Sequence, residues 1–468
     1  MHEAEPGSTL ARLTRRNLLR ATAAAAVATG IGVSGMGAAA ARAGATRTPR
    51  ERPAPAATSD LPLVGGEEFP IGLFWPPPPF ETNVERYTEI KDAGFTFLIT
   101  GNYLFDAHIV RHALGVADEV GLKVLVSDDL AVKIAAQRFT IDDAGGRLTL
   151  TREEAGAFIR EAHGNYAAHP SFAGLNFFDE PFPERYPTLG AAFDLYRETS
   201  GAHLPYANLL PNIFGDGYDD YLNGFVEQVR PSVVSFDRYP LLAGGAEDAD
   251  YFDNWARVRR VGLAHDVPTW VFIQTLAYAN HREPTAAELA WQVNVSLAYG
   301  AKGIQYFTYW TPDPARGEGF EPALVTVDGE LTPRYDAARD LNTRWLRQVG
   351  KQLKPLRPET VGHANETPLP NGTEAWQPDT WVRAVTGDPV LVSRFSSGDA
   401  GDPTQWLFLA NRSHGARARV AVDLAAQHVE EAQRFDARTE RYRPGRRKRK
   451  IEATLEPGGA ELHRLVLK

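Results

Sequence analysis

From Phe69 onward, short apolar runs alternate with longer amphipathic ones. The apolar runs are PIGLFW (Pro70–Trp75), FTFLITG (Phe95–Gly101), KVLVSDD (Lys123–Asp129), FAGLNFFDE (Phe172–Glu180), PYANLLP (Pro205–Pro211), VVSFDRYP (Val233–Pro240), TWVFIQT (Thr269–Thr275) and GIQYFTYW (Gly303–Trp310). Such runs read as strands buried on both faces, and the stretches between them, clearest at Thr285–Tyr299 and Pro333–Leu353, read as helices. Eight strand–helix pairs close a (β/α)8 TIM barrel. A doubly wound open sheet is the alternative. It calls for a glycine-rich phosphate loop after the first strand, where this chain has WPPPPF and proline offers no backbone donor.

From about Pro368 the rhythm changes to alternating runs without helices: VLVSRFS, QWLFLANRS, ARVAVDLA and ELHRLVLK. Gly, Asp and Asn turns separate them, which predicts a small antiparallel β-sandwich. The expected organisation is a barrel over 63–355, a Pro/Gly-rich linker over 356–375 and the sandwich over 376–468. Within the barrel, RFTIDDAGGRLTL predicts a hairpin turning at Gly145-Gly146. The basic run Arg441–Lys450 reads as a solvated hairpin tip turning at Pro444-Gly445, with contact to an anionic cell-wall polymer as the lesser alternative.

Composition changes the picture mainly at the N-terminus. The 468 residues include no cysteine, which excludes disulfides, thiolate metal sites, a cysteine nucleophile and a lipidated cysteine. Residues 1–43 carry Arg15-Arg16 ahead of an Ala/Gly-rich run and the small-residue site Ala41-Arg42-Ala43, the pattern of a cleaved twin-arginine export signal. The run is too weakly apolar for a stable membrane anchor. Residues 44–62 read as a disordered spacer. Removing 1–43 takes away a net charge of +3 and leaves −12, which disfavours a nucleic-acid partner.

The strand ends of a barrel share one face, so similarly placed residues converge. They supply Trp75 and Pro76, Asn102 and Tyr103, Asp128 and Asp129, Asp179 and Glu180, Asn208 and Pro211, Asp237 and Tyr239, then Gln274 with His281 and Glu283 in its loop, and Tyr309 and Trp310. An acidic and aromatic floor suits a carbohydrate, whose CH faces stack on rings while its hydroxyls bond to Asn, Asp and Gln. Glycosidic cleavage needs one carboxylic acid to protonate the leaving oxygen and a second carboxylate as base or nucleophile. Glu180, behind a buried strand, fits the first role; the bland alternative makes this an acidic loop start in which Asp179 caps the next helix. A catalytic metal would want clustered His and carboxylate ligands, and none of the twelve His sits at a predicted strand end. No cofactor is required.

Asp179-Glu180-Pro181, SFDRYP, QYFTYW and the closing VTVDGELTPRYDAARDLN together resemble clan A glycoside hydrolases, nearest to the β-galactosidase-like enzymes of family 42. The resemblance spans roughly Pro70 to Leu353. It implies that Glu180 is the acid/base and that a nucleophilic glutamate should end the seventh strand, where this chain has Gln274. An amide cannot form the glycosyl ester, so Asp237 or Glu283 would supply the second carboxylate, Asp237 being the better held. Retaining, inverting and substrate-assisted mechanisms stay open, as does a buried structural role for Gln274. The expected protein is an exported glycoside hydrolase with Asp179, Asp128, Asn102, Tyr239, Gln274, Glu283, Trp75, Tyr309 and Trp310 around the sugar. The rival is a non-catalytic carbohydrate-binding protein on a degenerate barrel.

Overall fold

The computed structural model describes residues 60–138, 150–399 and 401–468. The export segment, most of the spacer and the hairpin expected around Gly145-Gly146 lie outside the described residues. Eight parallel strands close into a barrel in chain order: β1 (Ile71–Phe74), β2 (Phe97–Ile99), β3 (Lys123–Val126), β4 (Phe172–Asp179), β5 (Leu204–Leu209), β6 (Val234–Asp237), β7 (Thr269–Gln274) and β8 (Gly303–Phe307). Closure is direct, since β1 pairs with both β2 and β8. Nearly every strand residue is buried, as expected where helices cover the outside and side chains fill the inside.

Side-chain caps start several of the helices. Asp106 accepts from the N–H groups of His108 and Ile109 to open Ala107–Val120, and Thr151 with Glu154 and Thr285 with Glu288 form capping boxes at Arg152–Tyr166 and Ala286–Ala298. The last barrel helix, read from sequence as one piece, contains a π-turn at Asn342–Leu346. That turn leaves Asn342 accepting from Tyr306 OH (2.7 Å) and donating to Ala93 O (3.0 Å), so it ties the outer face of β8 to the first helical layer. Gly174 in β4 has no room for a side chain: a Cβ there would lie 2.1 Å from Leu204 O on β5.

The C-terminal part is two antiparallel sheets. One holds β10 (Val382–Gly387), β13 (Ala418–Leu424) and β16 (Lys450–Leu455). The other runs β15-β14-β17-β12-β11-β9, comprising β9 (Arg357–Ala364), β11 (Val390–Ser396), β12 (Thr404–Asn411), β14 (Val429–Asp436), β15 (Arg441–Pro444) and β17 (Ala460–Leu467). Strand β9 lies where the sequence suggests only a linker; it pairs with β11 through Val390↔Ala364 to Ser396↔Arg357 and forms the edge nearest the barrel chain. Arg441–Lys450 is exposed but is no simple hairpin, because its two ends enter different sheets.

Period-two alternation lets the larger sheet serve two cores. Val390, Val392, Leu407 and Leu409 face the sandwich interior, while Leu391, Phe395, Phe408 and Ala410 belong to the barrel core. Arg412 fastens this junction. Its guanidinium pairs with Glu247 (3.0 Å) from the β6 loop and Glu366 (2.8 Å), and it lies over the ring of Phe252 (4.7 Å). Arg412→Ala would leave two half-buried carboxylates without that partner, and denaturant unfolding is expected to show a loss of about 2–4 kcal/mol; a loss under about 0.5 kcal/mol would mean the junction rests on apolar packing alone.

Candidate active site

Strand β4 ends at Asp179, whose side chain is exposed, and the chain turns at Glu180 with φ +56°. Left-handed backbone costs a non-glycine residue about 1–2 kcal/mol, and such strain concentrates at functional positions. The turn is held from two sides. Glu180 N–H donates to Asn208 O (2.8 Å), and Tyr221 OH donates to Pro181 O (3.0 Å). Asp179 caps no helix here, since neither the short turn Pro183–Arg185 nor the helix Tyr186–Thr199 has a side-chain cap.

Asn208 also holds Asp237. Its Nδ2 donates to Asp237 Oδ1 (2.8 Å), and its Oδ1 accepts from Ser235 Oγ (3.0 Å). Ser235 Oγ meets Tyr206 OH (2.7 Å) and Gln305 Nε2 (2.9 Å), and Tyr206 OH donates to Gln305 Oε1 (3.1 Å). A buried polar network inside the barrel therefore sets the Asn208 amide, which in turn aims Asp237. One residue of β5 thus organises the backbone at Glu180 on one neighbouring strand and the carboxylate at Asp237 on the other.

Behind β3, Asp128 is buried and accepts from Tyr103 N–H (2.9 Å). Burial pushes its carboxyl up to about 6, against the pull of that N–H and of the Lys133 charge. Lys133, half-buried, donates to Asn176 O (2.8 Å); burial brings its amine down to about 8, while Asp179, Asp128 and Asp129 act the other way. Sequence reasoning missed Lys133, although its place four residues after Asp129 at a helix start was a usable signal. Asn102 donates to Pro76 O (2.6 Å) and Asn176 to Ser127 Oγ (3.2 Å), and the Oδ1 of each is buried without a hydrogen-bond partner.

The raised Asp128 value gives a pH prediction. The folded chain holds the Asp128 proton more tightly than the unfolded chain, so this group's contribution is fully present below about pH 4 and lost as pH rises through about 6. Asp128→Asn should therefore gain stability relative to the parent across that window, by at most about 3 kcal/mol, as read from unfolding midpoints at pH 4 and pH 8. An unchanged difference between those pH values would contradict the buried-charge reading.

Rings continue the floor. Tyr239 stacks on Phe307 (5.3 Å), which stacks on Phe74 (6.0 Å), beside Trp75; Tyr278 and Phe320 extend the same surface. Arg316 lies 4.8 Å over the Trp75 ring, and Trp75 itself has φ +66°. His281 packs edge-on to Tyr239 (5.7 Å), and burial lowers its pKa. Phe74, Phe307, Tyr278, Phe320 and Arg316 were not singled out from sequence; aromatic residues flanking each strand end were the available sign.

Four expected site residues are engaged elsewhere. Tyr309 is fully buried edge-on to Phe95 (5.8 Å), and Trp310 is buried beneath Arg86 (5.4 Å), so both are packed into the core. Glu283 is exposed and ion-paired with Arg334. Gln274 is fully buried, its Oε1 accepting from Leu241 N–H (3.1 Å) and its Nε2 facing Leu241 O (3.2 Å) and Arg282 O (2.5 Å). It is a strut between the loops that follow β6 and β7. Among the described residues no group of three or more His, Asp or Glu is arranged to hold a metal ion. A cavity of about 790 Å³ opens at the opposite, N-terminal end of the strands, around Thr269, Trp270 and Lys302.

No protein-family model matches the chain, and no curated protein sequence matches it. Its structural neighbours are glycoside hydrolases. A catalytic mutant of a GH42 β-galactosidase from G. stearothermophilus superposes with a TM-score of 0.54 at 9% identity, covering 86% of this chain and 98% of that one. The shared feature is the fold. A family 5 glycoside hydrolase from Bacteroides vulgatus gives 0.49 at 11% identity over 85% and 89% of the two chains. A β-galactosidase from the psychrophilic Marinomonas ef1 gives 0.47 at 12%, and there this chain covers 62% of the neighbour's length, using 61% of its own. Among the described residues no helix is long and apolar enough to cross a membrane.

Proposed function

We propose that this chain hydrolyses O-glycosidic bonds in a glycan or oligosaccharide, with Glu180 as general acid and Asp237 as the second carboxylate. The observation that carries the reading is Asn208, which holds the backbone of one acid and the side chain of the other. In the proposed step Glu180 gives its proton to the leaving oxygen as the C–O bond breaks, while Asp237 takes a proton from the water that attacks the anomeric carbon. Strands β4 and β6 flank β5, so their backbones stand about 9–10 Å apart. An inverting reaction needs about 6.5–9.5 Å between the carboxyls and a retaining one about 5 Å, so the anomer released first tells which of the two the pair performs. Asn102, Asp128, Asp179, Tyr239 and Trp75 would bind the sugar. Likeness to family 42, with Gln274 in place of that family's nucleophile, belongs to this proposal, as does export of the chain through the twin-arginine signal in residues 1–43.

The bonding of Gln274 favours a second reading. With no carboxylate at the end of β7, the barrel would bind carbohydrate without cleaving it. Incubation with panels of aryl glycosides and polysaccharides separates the two: new reducing ends, with the first-formed anomer read by NMR, support the hydrolase, and retention of a glycan on the protein without product supports the binding protein.

A further inference from the structure

Nine large hydrophobic residues are notably exposed among the described residues; of these Phe80, Leu104 and Phe105 lie in the segments after β1 and β2, and Leu130 opens the helix after β3. Hydrogen bonds draw these loops together. Thr82 Oγ1 donates to Tyr103 OH (3.3 Å), and Tyr103 N–H donates to Asp128 (2.9 Å), so each of the four is within two residues of one bonded chain. The patch therefore borders the polar floor at Asn102 and Asp128.

Leu104 and Phe105 are the telling pair. Asp106 N–H bonds to Tyr103 O (3.0 Å), closing a turn whose two central residues have φ +59° and +58°. Such positions ordinarily take Asn, Asp or Gly. Here the chain strains two bulky apolar residues and leaves them 77% and 51% exposed, so neither backbone preference nor core packing accounts for them. The charges beside the patch are engaged: Glu81, next to Phe80, is paired with Arg86 (3.1 Å), and Asp106, next to Phe105, accepts from the His108 and Ile109 N–H groups.

We propose that this rim receives an apolar aglycone, an alkyl or aryl group joined to the sugar that the floor holds. An apolar rim on the segments that leave the strand ends, beside a polar floor, is complementary to a molecule with one polar and one apolar half. The assignment rests on the carbohydrate reading of the floor for its polar half alone.

The test uses the full chain and a Phe80→Ser/Leu104→Asn/Phe105→Gly variant, which suits the turn and should melt no lower than the parent. The probes are the uncharged dye N-phenyl-1-naphthylamine and the methyl and octyl β-D-glucosides and β-D-galactosides below their micelle concentrations. The dye is expected to brighten on the parent, to be displaced by at least one octyl glycoside at tenfold or more lower concentration than its methyl counterpart, and to bind the variant at least tenfold more weakly. Absence of dye binding, equal displacement by methyl and octyl forms, or equal binding by the variant overturns the proposal. So does a parent that is dimeric by sedimentation when the variant is monomeric, since a second copy would then cover the rim. Dye binding and selective displacement with no hydrolysis of any glycoside would leave the rim assignment standing and sink the hydrolase reading instead.

Discussion

Glu180→Gln is expected to lower turnover of a glycoside with an alkyl or sugar leaving group by about 10²–10⁴-fold, the range that a positioned acid contributes. A dinitrophenyl glycoside, whose leaving group departs without protonation, should lose far less. That contrast separates a lost acid from a damaged site, because damage slows both substrates alike. The backbone supplies a second readout: Glu180 occupies left-handed space at φ +56°, and Glu180→Gly removes that strain where Glu180→Gln keeps it. The glycine variant should be about 1 kcal/mol more stable than the glutamine variant by denaturant unfolding. If glycine proves the less stable of the two, the turn is not strained in the way its φ implies.

Restoring the acid that the family resemblance expects at the end of β7 should do harm. In Gln274→Glu the amide Nε2 that faces Leu241 O, Leu276 O and Arg282 O gives way to a second oxygen in a fully buried place. A carboxylate there meets three carbonyl oxygens and gains no cation, so a loss of about 3–5 kcal/mol is expected at pH 8. A protonated carboxyl could still donate to one carbonyl, so the substituted group's pKa should rise above the unfolded value. Stability from that proton is then present at low pH and lost as pH rises through the raised pKa, so the deficit should shrink at pH 5. No gain in hydrolysis should accompany the change. A stable, more active Gln274→Glu protein would show that this position faces substrate.

The barrel was legible in sequence because each strand is a continuous apolar run buried on both faces, and each run's exit names the residues at its mouth. Glu180, Asp237, Asn102 and Asp128 were read that way, and each lies at or just past the end of its strand in the structure. Counting from strand ends fails where direction matters. Tyr309 and Trp310 come two and three residues after β8, as Glu180 comes one after β4, yet they turn into the core beside Phe95 and Arg86. Gln274 ends its strand as Asp237 does, but the loops after β6 and β7 close over it. The place of Lys133 four residues after Asp129 hints at a nearby acid, but nothing local shows that its amine reaches Asn176 on β4. The strand β9 was hidden because half its bonding is set by β11, some thirty residues later. In the sandwich, Leu407 and Phe408 are equally apolar, and only the docked barrel explains why both faces of β12 are buried.

The account depends on Glu180 and Asp237 acting as one unit across Asn208. A double-mutant cycle on kcat/KM, with a glycoside that the parent cleaves, measures this directly. Glu180→Gln and Asp237→Asn should each cost at least about 100-fold, and the double variant should be little worse than the poorer single one, as for residues of a shared mechanism. Costs that simply multiply, or parental activity in either single variant, would contradict it.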